Sequence, residues 1–277
     1  MPNDGRKWDR RLDRAHELAD ANPFARQILL FYSHLTVLQR DIYLQMPASY
    51  ASRGAGRYSL PARLDDIDVG ILLPRWGPFL KLLEGIAPAP LAQFAQRLRA
   101  SGPAAGASYL RSAWPAAGIN PLQASAIHPC ERFCTQAFLQ PFAEFLADHT
   151  EVPVPHARLP ICPYCGSAPL VGALRPEGEG GKRTLICSFC RTEWDYLRIA
   201  CPACDERREQ KLCVYISPKF EFVRVEACET CKAYLKTVDL TRTGLAVPEV
   251  DELASVPLTL WADENGYHKA TLGIFFL

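Results

Sequence analysis

Eleven cysteines in 277 residues, eight of them in four Cys-x-x-Cys pairs, constrain this chain more than any other feature. The pairs are Cys162/Cys165, Cys187/Cys190, Cys201/Cys204 and Cys228/Cys231. Between the first and second lie 21 residues, and between the third and fourth 23. Both gaps slightly exceed the roughly 15–20 residues of a usual four-cysteine ribbon, a difference that a longer hairpin takes up. Two such turns facing each other across a hairpin place four thiolates at tetrahedral corners, about 2.3 Å from a zinc-sized ion. Iron accepts the same S₄ set, so two tetrathiolate ions, iron or zinc, are expected. The expected ligands are Cys162, Cys165, Cys187 and Cys190 at site 1, and Cys201, Cys204, Cys228 and Cys231 at site 2.

An internal repeat supports this grouping. CSFCRTEWDYLRI (Cys187–Ile199) aligns without a gap on CETCKAYLKTVDL (Cys228–Leu240) at an offset of 41, and CPYC aligns on CPAC at 39. The region is two copies of one unit: knuckle, hairpin, knuckle, strand. A unit this small holds little core, so metal coordination is expected to supply much of its folding free energy, about 10–16 kcal/mol in apparent terms. Gly166 follows the second cysteine of the first knuckle; Arg191, Asp205 and Lys232 stand there in the others. A left-handed turn at that place suits Gly, is tolerated by Asp, and is less favourable for Arg and Lys. Tyr164, Phe189, Trp194 and Tyr196 could shield the first site from water or simply pack the ribbon.

The setting is read as a reducing cytoplasm. The opening MPNDGRKWDRRLDR is charged throughout and lacks an apolar signal core. The longest apolar candidates, Ile67–Leu73 and Ile274–Leu277, fall far short of a membrane span. In that compartment paired cysteines serve as metal ligands or redox groups rather than as structural disulfides.

The fold class is α+β: an N-terminal helical bundle followed by two tandem rubredoxin-like, or zinc-ribbon, units. Within 1–150, Phe24, Ile28, Phe31, Leu35, Leu38 and Ile42 trace one apolar stripe at helical spacing, with Asn22 and Pro23 as its start and Pro47 as its stop. A shorter helix over Asp4–Asp20 precedes it. Leu91, Phe94 and Leu98 mark a further helix, and Phe133, Phe138, Phe142 and Phe145 another that contains Pro141. The Ala-, Gly- and Pro-rich stretch Ser101–Pro121 gives no boundary. A proline-bearing linker covers 151–161. The first unit spans 162–200, the second 201–245, and a tail over 246–277 is expected to pack back on the body. Strands are predicted at Leu170–Leu174, Arg183–Ile186, Trp194–Ile199, Leu212–Ile216, Phe220–Val225 and Ala233–Val238, with a hairpin tip at Gly178–Gly181.

Charge and motif content narrow the function. The whole chain carries a formal +1, and 162–245 holds 13 Lys/Arg against 11 Asp/Glu. Eight thiolates and two divalent ions would turn that region net negative, which removes the basic stripe that phosphate binding requires; no nucleic acid is expected. A site closed by four cysteines leaves no position for water or substrate. The six histidines are scattered outside any protease or triad pattern. Cys130 and Cys134, at i and i+4, read as core-facing, and Cys213 as a buried strand residue. The chain is therefore not expected to be an enzyme.

The motifs Cys162–Pro163–x–Cys165–Gly166–Ser167–x–Pro169, Cys187–x–x–Cys190 with Thr192–Glu193–Trp194, Cys201–x–x–Cys204, and Cys228–x–x–Cys231 with Tyr234–Leu235–Lys236 resemble the formate dehydrogenase accessory proteins of the FdhE type. So do Asp251–Glu252–Leu253–Ala254–Ser255, Gly266–Tyr267, and Leu18–Pro23. The resemblance implies a helical domain joined to two rubredoxin-like folds, each able to hold iron or zinc. It also implies a non-catalytic role: maturation of formate dehydrogenase in the cytoplasm by contact with its catalytic subunit, before export. The alternatives are a rubredoxin-type electron-transfer protein acting on a metalloenzyme client and, third, a ribbon-type nucleic-acid module.

Overall fold

The computed structural model describes residues 5–46, 69–114, 128–150, 159–178, 180–271 and 274–275. Pro47 and most of the linker, 151–158, lie outside them. The first half is helical: α1 (Arg6–Ala21), α2 (Arg26–Leu44), α3 (Leu73–Ile86), α4 (Ala89–Ala100), α5 (Gly102–Ala113) and α6 (Pro129–Asp148). α1 packs on α2, α3 on α4, and α6 receives α2, α4 and α5. α6 is the axis of this body: it continues through Pro141, and every residue from Ala137 to Leu146 is buried.

The helix over the Phe24–Ile42 stripe is present, with Leu35 and Ile42 buried and Ile28, Phe31 and Leu38 half-buried. The inward face is wider than the stripe and also takes in Leu29, Tyr32, Thr36, Gln39 and Tyr43, whereas Phe24 is 47% exposed and meets Phe220 edge-on. Polar contacts account for part of the added width. Gln39 Nε2 donates to Ala137 O at 2.8 Å and to Gln140 Oε1 at 3.1 Å, and Gln140 Nε2 donates to Ser188 O at 3.1 Å. Asn22 ends α1, its Nδ2 donating to Leu18 O at 3.1 Å, and also begins the 3₁₀ turn Pro23–Ala25 that leads into α2. α5 fills part of the stretch without predicted boundaries, setting the narrow face of Ala107, Leu110 and Ala113 toward the interior.

The second half is one sheet. β1 (Pro169–Glu177), β2 (Gly180–Cys187), β3 (Glu193–Asp195), β4 (Leu212–Ile216), β5 (Val223–Cys228) and β6 (Ala233–Asp239) lie in the order β3-β2-β1-β6-β5-β4, and β7 (His268–Lys269) runs beside β6. Each repeat contributes three antiparallel strands, and the copies join where β1 pairs parallel with β6. The joint is Gly172↔Thr237, Ala173↔Val238 and Leu174↔Asp239. Only a residue without a side chain fits there, since a Cβ on Gly172 would stand 2.4 Å from Thr237 Oγ1. Gly172→Ala is therefore expected to cost about 1–3 kcal/mol, read as a lowered thermal midpoint with unchanged metal content.

The predicted strand Trp194–Ile199 shortens to β3. Beyond it the carbonyls of Leu197 and Ala200 turn to the buried Arg183 guanidinium, whose Nη1 donates to them at 2.8 and 3.0 Å, so they leave the ladder. Pro218–Phe220 is a 3₁₀ turn, which delays β5 to Val223. The hairpin tip falls where expected, with pairing down to Glu177↔Gly180.

α7 (Pro248–Ala254) and α8 (Val256–Glu264) complete the chain's helices among the described residues. α7 packs against α1, α2, β1 and β6, and buried charge holds it there. Arg11 donates to Glu249 at 2.6 Å and to Glu144 at 3.0 Å, tying α1 to both α7 and α6. Lys7 pairs with Glu144 at 2.5 Å. Arg14 forks onto Asp251, with Nη2 at 2.5 Å and Nε at 3.1 Å. Lys236, fully buried, donates to Glu252 O at 2.6 Å and pairs with Glu252 Oε1 at 3.0 Å, and Lys269 reaches the same carboxylate at 2.5 Å. The run Asp251–Ser255 and the residue Lys236, both part of the family-like motif set, thus serve to dock the tail.

Candidate metal centres

The four knuckles share one backbone. Gly166, Arg191, Asp205 and Lys232 all adopt positive φ, at 75°, 59°, 58° and 61°. In three of the turns the following amide reaches back to the first cysteine: Gly166 N to Cys162 O at 2.9 Å, Asp205 N to Cys201 O at 3.0 Å, and Lys232 N to Cys228 O at 2.8 Å. This reversal aims both sulfurs of a pair the same way and frees amides for them. Phe189 N donates to Cys187 Sγ at 3.3 Å, and Ala203 N to Cys201 Sγ at 3.4 Å. Such bonds stabilise the thiolate form. Three non-glycine residues accept a conformation that disfavours them by roughly 1–2 kcal/mol each, because the cysteine turn admits no other.

The eight cysteines gather as two separate groups. Cys162, Cys165, Cys187 and Cys190 form one, Cys201, Cys204, Cys228 and Cys231 the other, with the sulfurs of each group all within 4.8 Å. Facing knuckles give Cys162–Cys190 and Cys165–Cys187 contacts of 3.5 and 3.4 Å, and Cys201–Cys231 and Cys204–Cys228 contacts of 3.7 Å. A disulfide would be near 2.05 Å. A tetrahedron with metal–sulfur distances of 2.3 Å has an edge of about 3.8 Å, so the donor sets fit an ion of zinc or iron size. Burial pushes the Cys187, Cys190 and Cys201 thiols well above their ordinary range, and it raises Cys231 to about 11. Cys165 and Cys228 are held below the ordinary thiol range, against burial, by bonds from neighbouring sulfurs and backbone amides.

The groups differ in surroundings. The first lies in the same hydrophobic core as α6, with Tyr164, Phe189, Trp194 and Tyr196 buried around it. Phe189 stacks edge-on against Trp114 at 5.1 Å, and the Trp194 indole donates to Leu159 O at 2.8 Å. Ser167 Oγ lies 3.2 Å from Cys165 Sγ, and Thr192 Oγ1 lies 3.0 Å from Cys190 Sγ. Both residues belong to the motifs named above, two positions after a knuckle's second cysteine, but the sequence alone gives their hydroxyls no role. The second group is open: Cys204 is exposed and Cys231 half-buried. A competing chelator is accordingly expected to remove one ion quickly and the other slowly. The slow phase should be unaffected in Cys204→Ser, as followed by colorimetric metal release.

The remaining cysteines stay outside both groups. Cys134 is fully buried in α6, where burial and the adjacent Cys130 push its thiol to about 12. Cys213, expected to be buried, is half-buried because β4 is the last strand of the sheet. No helix among the described residues is long and apolar enough to cross a membrane.

Fold and site together define a class: a helical body carrying a double four-cysteine ribbon in one sheet. Residues 161–198 match the model of the FdhE central domain, and 187–276 that of the FdhE C-terminal domain. Residues 161–276 thus match FdhE domain models from end to end, and the resemblance read from the motifs is borne out. A "Protein FdhE homolog" of Aquifex aeolicus is 38% identical over half of this chain, and the matched segment spans 49% of that relative. The homolog of Pseudomonas aeruginosa is 38% identical over 39% of the chain and 36% of its own length. That of Cronobacter sakazakii is 25% identical over 97% of the chain and 87% of its own. The crystal structure of the FdhE protein from Pseudomonas aeruginosa shares the fold, with a TM-score of 0.69 at 24% identity over 97% of this chain and 95% of that one.

Proposed function

We propose that this chain is a non-catalytic accessory factor for the maturation of formate dehydrogenase, binding the enzyme's catalytic subunit in the cytoplasm. The observation that carries the reading is the pairing of FdhE domain matches with two groups of four cysteines, each spaced to close around one ion. The ligands are Cys162, Cys165, Cys187 and Cys190 at the first centre, and Cys201, Cys204, Cys228 and Cys231 at the second. Their ions supply cross-links, and the protein's own residues supply a fixed surface. With all four positions of each ion taken, no substrate is activated there. Co-purification with a formate dehydrogenase catalytic subunit is the expected result; normal formate dehydrogenase activity in cells lacking this protein would overturn the reading.

A second reading, electron transfer to a metalloenzyme client, is favoured by the exposure of Cys204, which brings one sulfur of the second centre to the surface. It requires iron. Protein from native cells should then show thiolate-to-iron absorption that bleaches on reduction, and a colourless zinc protein would remove it.

A further inference from the structure

The two cysteine groups are held in place by different means. Cys162, Cys165, Cys187 and Cys190 all belong to the hydrophobic core built around α6. Cys201 and Cys204, like Cys228 and Cys231, lie outside each core formed by the described residues, and Cys204 is exposed. Packing grips the second group only through neighbours. Ala200, just before Cys201, belongs to the core around α6, whereas Ala227, just before Cys228, belongs to a different one with Val223, Val225 and Tyr234. Apolar contact therefore fixes each of these knuckles to its own core and not to the other.

Arg183 crosses that gap. It stands on β2 of the first unit, four residues before Cys187, and is 3% exposed. Its Nη1 donates to Ala200 O at 3.0 Å, and its Nη2 donates to Glu226 Oε2 at 2.6 Å. Glu226 lies two residues before Cys228 on β5. One guanidinium thus grips both chain segments that lead into the first cysteine of each knuckle in the second group. Tyr196 packs its ring 5.4 Å from the guanidinium carbon and sets its hydroxyl 3.4 Å from Cys201 O. The fork is planar and rigid, so it fixes a spacing as well as supplying a charge. At the 41-residue offset the counterpart of Arg183 is Arg224. Arg224 turns its Nε and Nη2 to Glu226 on its own strand, at 2.9 and 2.6 Å, so the grip runs from the first unit to the second.

We propose that Arg183 is a positioning residue for the second centre. Closing the first unit fixes β2, β2 fixes Arg183, and the guanidinium holds the knuckles of Cys201 and Cys228 at the spacing one ion requires. The second ion is then retained only while the first unit is closed. Without the fork the four sulfurs remain, but the ion itself must gather them, and its affinity falls. Coupling between two binding sites is reciprocal, so the second ion also steadies the first unit until it leaves. The affinity of the first ion, read after the second centre has emptied, is free of this coupling.

The test uses full-length, metal-loaded protein equilibrated with increasing chelator, with metal content and thiol alkylation read at each step. Wild type should lose the second centre's ion first, so that Cys201, Cys204, Cys228 and Cys231 become alkylated while Cys162, Cys165, Cys187 and Cys190 stay protected. Arg183→Lys keeps the charge and loses the fork. It should release the second ion at a chelator concentration lower by about tenfold or more, with release of the first ion unchanged. Arg224→Gln, which takes a charge from the same Glu226, should match wild type. Release from Arg183→Lys as from wild type, weakening of both ions together, or an equal effect of Arg224→Gln overturns the proposal. So does a wild-type species alkylated at the first four cysteines and protected at the second four, a reading that needs no variant to fold. Wild type holding no ion at the second group overturns the ligand assignment along with it, and the accessory role keeps its separate test by capture of the catalytic subunit.

Discussion

Cys187→Ser is expected to give a chain that is largely unfolded, whereas Cys204→Ser stays folded and retains about one ion. The asymmetry comes from what surrounds each sulfur. Cys187 is fully buried in the core that also contains Phe133, Phe138 and Phe142 of α6, and it faces Cys165 at 3.4 Å. Losing that ligand forfeits a large part of a binding free energy of about 10–16 kcal/mol. The net stability of a domain is only about 5–15 kcal/mol. Three buried thiols without an ion then add a desolvation cost. At Cys204 the sulfur is exposed, so water can take the vacated position, and the second unit keeps its own core of Val223, Val225, Ala227 and Tyr234. Elemental analysis with far-UV circular dichroism on both variants reads the difference. Equal metal loss and equal unfolding in the two would refute it.

Arg11→Ala is expected to lower the unfolding free energy by about 3–5 kcal/mol, the usual cost of leaving buried charge unpaired. Arg11 is 6% exposed, and two carboxylates depend on it, Glu144 on α6 and Glu249 on α7. Burial alone would raise both carboxyls; the Arg11 guanidinium outweighs it and holds them below their ordinary value of 4.5, as Lys236 and Lys269 do for Glu252. A carboxylate lowered in the folded state adds stability that is complete above pH 4.5 and is lost as pH falls through the folded value. Wild-type protein should therefore weaken below pH 4.5. In Arg11→Ala burial is opposed only by Lys7 at Glu144 and by Arg191 and a backbone hydrogen bond at Glu249, so both carboxyls rise and the stability they lend above pH 4.5 shrinks. The two stability curves then converge as the medium turns acid. Urea midpoints at pH 7 and pH 4 test this, and parallel curves would show that the guanidinium is not what holds the acids ionised.

Much of the candidate site was legible because cysteine spacing encodes it locally. A Cys-x-x-Cys turn needs no distant partner to take shape, and the 41-residue repeat paired the turns correctly. The left-handed residue after each second cysteine was legible for the same reason, down to the unfavourable Arg191 and Lys232. The parallel joint between β1 and β6 was not, since it depends on the fit of Thr237 over Gly172, two residues 65 apart in the chain. Nor could hydropathy place the full inward face of α2: Thr36 turns its hydroxyl onto Tyr32 O within the helix, and Gln39 reads as polar until Ala137 O and Gln140 are brought to it. Arg183 misled the reading of β3 in the same way: an arginine reads as surface, and here it is buried and takes two carbonyls out of the ladder. Long-range polar partners leave no periodic trace.

The first centre and the helices share a single interior, and that has a bearing on timing in the cell. Tyr164 and Phe189 within the knuckles, and Trp194 on β3, pack in the same core as α6, so a knuckle left open would withdraw them from it. If the cysteine groups close around ions, newly made chain in a metal-poor cell would stall with part of its apolar core uncovered and be a ready target for proteolysis. The abundance of the finished protein would then follow the supply of metal.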